Sequence, residues 1–320
     1  MKSVRKLVAL AATALAALSF NASAQEGTIK IVLGFPAGAT SDILSRVVAD
    51  HMRQSLGQPV IVENKPGAGG RIANELVKAA APDGATLLMT PVAAMSIFPH
   101  SFGDLRYDPF KDYEPVAHLS DFQIGLGVST KVPAKTLAEY VGLVKMDPKW
   151  GYYASAAAGS IPHFLGVMFA RTAGIELTHV PYKGSANVLQ ALAAGEIAAA
   201  STVAADIGSL VKAGKARLLV VSGAKRAAVF PDVPTFSESG YDMEAIAWYG
   251  LFAPAGTPRA AVERLSKSAI AAIHDDTVNK RLVQIGLEPT GYGPAELARI
   301  MKADYDKWGP VIKASGFHGN

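Results

Sequence analysis

The chain contains no cysteine. Disulfides, thiolate nucleophiles and thiolate-bound metals are therefore excluded, and stability has to come from packing alone. Charge is sparse, with Asp, Glu, Lys and Arg at 18% of residues. No basic stripe with interleaved aromatics is present, so nothing in the sequence points to nucleic acid. The short motifs of catalysis are missing too. There is no G-x-S-x-G elbow and no H-E-x-x-H pair, and Gly67-Ala-Gly-Gly70 is not followed by the Lys of a nucleotide loop. The seven histidines are scattered, without an i, i+4 pair suited to a metal. No metal and no cofactor is expected, and an enzyme reading lacks both nucleophile and base.

Long apolar runs are confined to the N-terminus. Lys2, Arg5 and Lys6 precede the stretch Leu7 to Phe20, and Ala22-Ser-Ala24 supplies a cleavage site. This is the pattern of a secretory signal peptide over residues 1–24, with Gln25 first in the mature chain. The run is shorter than the ~20 residues that span a bilayer, and no Cys follows it to carry a lipid. Export is expected. The formal charge of +4 includes the three leader cations, so the mature chain carries 28 cations against 27 acids. The 296 residues that remain are long for one core and suit two lobes.

Along the mature chain, short apolar runs alternate with helical periods. Thr28 to Leu33 reads as a strand, followed by a helix with Ile43, Leu44, Val47, Val48 and Met52 in register. Thr40 or Ser41 can cap that helix, and Asp42 complements its dipole. Val60 to Glu63 is a strand, Ile72, Leu76 and Ala80 mark a helix, and Thr86 to Thr90 is a third strand. The order implies a parallel sheet with right-handed crossovers. The pattern recurs from Gly151 to Ser222, with strands at 151–155, 178–182, 197–202 and 218–222. Between the two units lies an extended stretch, Val116 to Thr130, and a second, Ala245 to Ala253, follows the later unit. Thr257 and Pro258 are placed to cap and start a helix. A last helix begins at Pro294, and Pro310 is expected to end or kink it. The chain thus leaves one lobe, builds another and returns. Two crossings make a hinge, and a hinge makes a cleft.

Two loops of small residues follow the first strand of each unit: Gly34-Phe-Pro-Ala-Gly-Ala-Thr-Ser-Asp42 and Ala156 to Ser160. Ligands of open α/β sheets sit beyond the carboxyl ends of the strands. A loop that ends at a helix start offers unpaired N–H groups and the positive end of the dipole, so it can hold an anion without a cationic side chain. Ordinary strand-to-helix turns use the same residues. The matching positions in two units favour a binding role. His163 reads as a cap or packing residue and Lys183 as solvated. Tyr152, Tyr153, Trp248 and Tyr249 could line an apolar wall or pack in the core.

The segments "GFPAGATSDILSR", "VENKPGAGGRIANELVKAA", "YYASAAAGSIPHFLG", "HVPYKGSANVLQALAAGEI", "FPDVPTFSESGY" and "WYGLFAPAGTP" resemble, in order, the periplasmic solute receptors of tripartite tricarboxylate transporters, the Bug-type receptors. The resemblance implies an α/β, two-lobed periplasmic binding-protein fold of type II-like form. Each lobe would be a mostly parallel sheet flanked by helices. Lobe one would comprise 25–122 and 248–320, and lobe two 123–247. It implies a monomer that captures a small carboxylate through main-chain amides and ordered waters and delivers it to membrane transporter subunits. Carried over, the ligand-binding residues would be Phe35, Pro36, Ala37, Gly38, Ala39 and Asp42 on one side. On the other they would be Ser155, Ala156, Ala157, Gly159, Ser160 and His163. Thr90, Pro91, Ala93 and Thr202 are further candidates. A signalling receptor of the same fold is the alternative, and a hydrolase a weaker one. The chain departs from the family pattern at Ala39, where relatives carry Gly. It departs again at Ala156-Ala-Ala-Gly-Ser160, which replaces Ala-Gly-Asn-Gly-Ser, and at Ala198, which replaces an Asp. Each change removes a polar group or adds a methyl, and together they favour a partly apolar or aromatic carboxylate over a tricarboxylate.

Overall fold

The computed structural model describes residues 27–319, and the expected signal peptide lies outside the described residues. The short apolar runs become strands β1 Ile29–Leu33, β2 Val60–Asn64, β3 Thr86–Pro91, β4 Tyr113–Ser129 and β5 Tyr152–Ser155. They continue with β6 Thr178–Pro181, β7 Ala199–Val203, β8 Ala216–Val221, β9 Ile246–Pro254 and β10 Leu287–Tyr292. The helical periods become α1 Thr40–Leu56, α2 Arg71–Lys78, α3 Phe98–Ser101, α4 Leu137–Met146 and α5 Ile161–Ala173. The later helices are α6 Ser185–Ala194, α7 Ala204–Lys212, α8 Arg259–His274, α9 Asp276–Gln284 and α10 Pro294–Ser315.

The strands follow the order β2-β1-β3-β9-β4-β7-β5-β6, with β8 and β10 also on β4. In each parallel unit the first strand is central: β1 lies between β2 and β3, and β5 between β6 and β7. The long strand β4 joins the units. Its first part pairs antiparallel with β9 and β10, and its last part pairs antiparallel with β7 and β8. Burial along β4 is almost continuous rather than alternating, as expected of a strand covered on both faces. The chain returns at Ile246, opposite Gln123. At this crossing the buried Ser222 accepts from the Ile124 amide and donates to the Ala245 carbonyl. The main core lies around β1, β3, β4 and β9, and a smaller one of Val188, Leu192, Ile197 and Ile207 sits under α6 and α7.

Four local expectations change. The N-cap of α1 is Ala39, and no side chain caps it directly. Asp42 instead reaches back from the first turn to the Gly38 amide. The Thr257 hydroxyl donates to the Pro254 carbonyl and closes a turn, so Pro258 occupies the cap position of α8. Helix α2 buries Ala73, Asn74 and Val77, while Ile72 and Leu76 are exposed. Asn74 faces inward because its carbonyl and amide oxygens accept from Tyr113 and Thr90. Pro310 neither ends nor breaks α10, which runs to Ser315. Trp308 and Ile312 on either side of it are both buried, and that packing outweighs the one backbone bond a proline removes.

Candidate ligand-binding cleft

A cleft of about 90 Å³ opens beyond the carboxyl ends of β1, β3, β5 and β7. That is several times the ~10–15 Å³ a single water needs. Its position follows from topology: β1 and β5 each run into a loop and then a helix start, and β7 runs directly into α7. Residues from the first turns of α1, α5, α6 and α7 line it, so four helix starts face one space. Their orphan N–H groups and dipoles make the space hospitable to negative charge. The rest of the wall is apolar. Phe122 and Tyr249, from the two crossing strands, stack at 4.4 Å and form one side with Ile124 and Ala247. Phe35 and Phe98 close another.

The two quiet loops meet here as expected. Phe35, Pro36, Ala37 and Ala39 line the cleft from one side, and Ala156, Ala157 and Ser160 from the other. Pro91, Ala93 and Thr202 also reach it. Val92 and Ala93 belong to an abrupt turn after β3 that continues as a π-helical turn, Ala93–Ile97. The third loop, Gly67 to Gly70, packs behind the first so closely that Gly34 and Gly70 have no room between their backbones. A Cβ on Gly34 would lie 2.5 Å from the Gly70 Cα.

The other predicted residues stand behind the wall. Gly38, with φ +90°, lines a groove on the far side of the loop. Asp42 is buried and faces its own loop. Its carboxylate accepts from the Gly38 amide at 3.0 Å, the Asn64 amide at 2.9 Å and the Arg46 guanidinium at 3.0 Å. Burial works to raise this acid. The bonds from Arg46, Gly38 and Asn64 outweigh it and hold the carboxyl below its ordinary value. Thr90 is tied to Asn74. Ser155 donates to the Ala157 carbonyl and meets His179 Nε2 at 2.7 Å. Gly159, at φ +72°, donates to His163 Nδ1. His163 stacks on His179 at 4.0 Å, and burial depresses His163 to about 4 and His179 to about 3. Both rings are neutral near pH 7 and supply no positive charge. Of the four aromatics weighed for the wall, Tyr249 lines the cleft and Tyr153 and Trp248 are core, while Tyr152 is exposed.

Sequence reasoning missed Thr40, Ser41, Ser185, Phe98, Phe122 and, above all, Asp206. Asp206 sits in the first turn of α7, and the Thr40 hydroxyl donates to its Oδ1 at 2.7 Å across the cleft. Ser185 was within reach, because it opens a helix after Tyr182-Lys-Gly as Ser160 does after its own loop. Asp206 carried no distinguishing signal, since an acid in a first helical turn is ordinarily a dipole partner.

Comparison with known proteins fits this geometry. Residues 44–317 match the family described as "Tripartite tricarboxylate transporter family receptor". The chain belongs to that family. A curated relative, the UPF0065 protein in the gbd 5' region of Cupriavidus necator, is 34% identical over 312 residues, 96% of this chain and 94% of its own. The solved structure of periplasmic binding protein BugD matches this receptor with a TM-score of 0.87 at 30% identity, covering 92% and 99% of the two chains. An R. palustris protein solved with adipate gives 0.88 at 30% identity, covering 91% and 98%. MatC from Rhodopseudomonas palustris with bound malate gives 0.83 at 31% identity, covering 89% and 98%. The fold is therefore that of periplasmic binding proteins, and the family is one of solute-binding receptors, not of enzymes. Family and fold place this receptor in the periplasm.

Proposed function

We propose that this receptor captures a small carboxylate in the cleft between two lobes and delivers it, as a monomer, to the membrane subunits of a tripartite tricarboxylate-type transporter. The observation that carries this reading is the convergence of four helix starts on an otherwise apolar cleft. That combination binds an acid group by backbone amides while burying an apolar body. The structures with adipate and with malate support a carboxylate as cargo. The aromatic wall of Phe35, Phe98, Phe122 and Tyr249 supports a partly apolar one.

Lobe one consists of residues 25–122 and 248–320, and lobe two of 123–247. The crossing at Gln123, Ser222 and Ile246 supports a hinge there. Of the predicted residues, those that line the cleft would touch the ligand, and Asp42, Gly38, Gly159 and His163 would shape the loops that do. The test is native mass spectrometry of protein purified without refolding, followed by a thermal-shift panel of carboxylic acids. A co-purified acid is expected. An acid supplied at ~100 times its Kd should stabilise the fold by about 2.7 kcal/mol. Stabilisation by none of the acids, with no co-purified ligand, counts against the proposal.

A further inference from the structure

We infer that Asp206 sets which acids the receptor takes: the cleft accepts a monocarboxylate whose far end is apolar or donates a hydrogen bond, and it rejects dicarboxylates. This rests on the function proposed above and adds the class of cargo.

The argument starts from where the carboxylate of Asp206 lies. It extends from the first turn of α7 to the start of α1, where the Thr40 hydroxyl donates to it at 2.7 Å. The main-chain amide of Thr40 and the hydroxyl of Ser185 act on it as further donors. The positive end of α1, one of the four helix starts on the cleft, is thus taken by an acid of the protein itself, and that acid occupies the first turn of another, α7. The starts of α5, at Ser160 and Ile161, and of α6, at Ser185 and Ala186, are left for the cargo.

Among the described residues no cationic side chain lines the cleft, and Lys212 shares with Asp206 only the groove on the far side of the loop. No cationic side chain is among the groups acting on Asp206. Arg71 and Lys183 line the neighbouring groove rather than this cleft. Arg71 is in any case engaged there, over the Phe102 ring at 4.0 Å and beside Asp104 at 3.6 Å. Burial pushes the Asp206 carboxyl up from its ordinary value even though Thr40 and Ser185 donate to it. Around Asp206 the cleft is therefore short of positive charge even for that one carboxyl. A second carboxylate facing Asp206 between apolar walls would be repelled, or would need a proton held between the two groups. A hydroxyl, amide or ammonium group would instead give Asp206 a donor.

Calorimetry with chain-matched probes tests this: straight-chain monocarboxylates, ω-amino monocarboxylates and dicarboxylates of four to eight carbons, against wild type and Asp206→Asn. Wild type is expected to bind its best monocarboxylate or ω-amino acid at least about tenfold more tightly than the dicarboxylate of equal length. Asp206→Asn keeps the shape and removes the acid. It should bring the dicarboxylate to within about threefold of the monocarboxylate and weaken the ω-amino acid about tenfold. A wild-type preference below tenfold, or an unchanged ratio in the variant, overturns the inference while leaving the receptor function standing. Failure of every acid to bind either protein overturns both. If Asp206→Asn does not fold, Asp206→Ser, which also removes the acid, is read by the same ratios.

Discussion

At the scale of single residues, Asp42 shows how a loop without cations or histidines is held in shape. One carboxylate ties the Gly38 amide, the Asn64 side chain and Arg46 together, and Asn64 in turn donates to the Phe35 carbonyl. Asp42→Asn should lose the ion pair with Arg46 and leave the Gly38 amide poorly met. The expected cost is about 1–3 kcal/mol, the scale for a buried charge-assisted bond, read from urea unfolding at pH 7. The pH dependence has a definite sign. The folded carboxyl titrates below its unfolded value of 3.8, so its contribution is complete above that value and is lost as pH falls through the folded one. The variant should therefore lose less stability than wild type on acidification through that window. Equal acid sensitivity of the two proteins would show that Asp42 is not the group involved. The sequence placed Asp42 at a helix start, and Arg46 is one turn along the same helix. Its bond to Asn64 was hidden, because that residue is on the neighbouring strand β2 and only the fold brings it near. Ala39 teaches the reverse. It stands where relatives carry Gly, yet its φ of −78° is one that any residue adopts, so Ala39→Gly has no backbone geometry to restore.

At the scale of elements, the alternation of apolar runs and helical periods made both parallel units legible, and strand bounds fall close to those expected. What it could not supply was the partner of each surface. Helix α2 is one case, because an inward Asn cannot be told from an outward one by periodicity. The turn from β5 to α5 is another. His163 looked like a cap or packing residue, and it is both: it accepts from Gly159 and stacks on His179, which arrives from β6. The two rings, His163 buried and His179 half-buried, are held neutral, at about 4 and about 3, against an ordinary value of 6.5. Below pH 6.5 the unfolded chain takes up protons that the folded one refuses. Stability is therefore full above about 6.5 and falls with pH toward the folded values. Relative to pH 7, the loss at pH 5 should be on the order of 1–2 kcal/mol per ring. A His163→Phe, His179→Gln variant should flatten the pH dependence of the urea midpoint between 7 and 5. The same slope in variant and wild type would place the titrating groups elsewhere.

At the scale of the whole molecule, the question is what holds the two halves together around the cleft. The proposed hinge lies at the crossing strands, with Ser222 bridging Ile124 and Ala245 where both strands pass. Away from the hinge, the Thr40 to Asp206 bond spans the cleft, and the end of the chain spans its mouth. After α10 ends, Phe317 lies against Phe102, with ring centroids 6.3 Å apart, and against His163 and Phe164 at 4.9 and 5.6 Å. Gly319 donates to the Ser101 carbonyl, which fixes this tail to the first half. Phe317 is thus anchored on one proposed lobe and packed on the helix start of the other. Phe317→Ala removes the edge-to-face contacts to His163 and Phe164, which exist only when the halves are together, along with the Phe102 contact within the first half. Because the ring is half-buried, the loss should be about 1–2 kcal/mol, below the ~3–5 of a fully buried phenylalanine. That energy bears on closure more than on either core. Small-angle X-ray scattering without added ligand should show a larger radius of gyration for the variant than for wild type. A saturating acid should restore the compact form, with apparent affinity reduced about tenfold because binding must then close the halves without the strap. An unchanged radius and unchanged affinity would mean that the ring only fills a surface hollow, and that closure is governed at the Thr40 and Asp206 contact and the hinge.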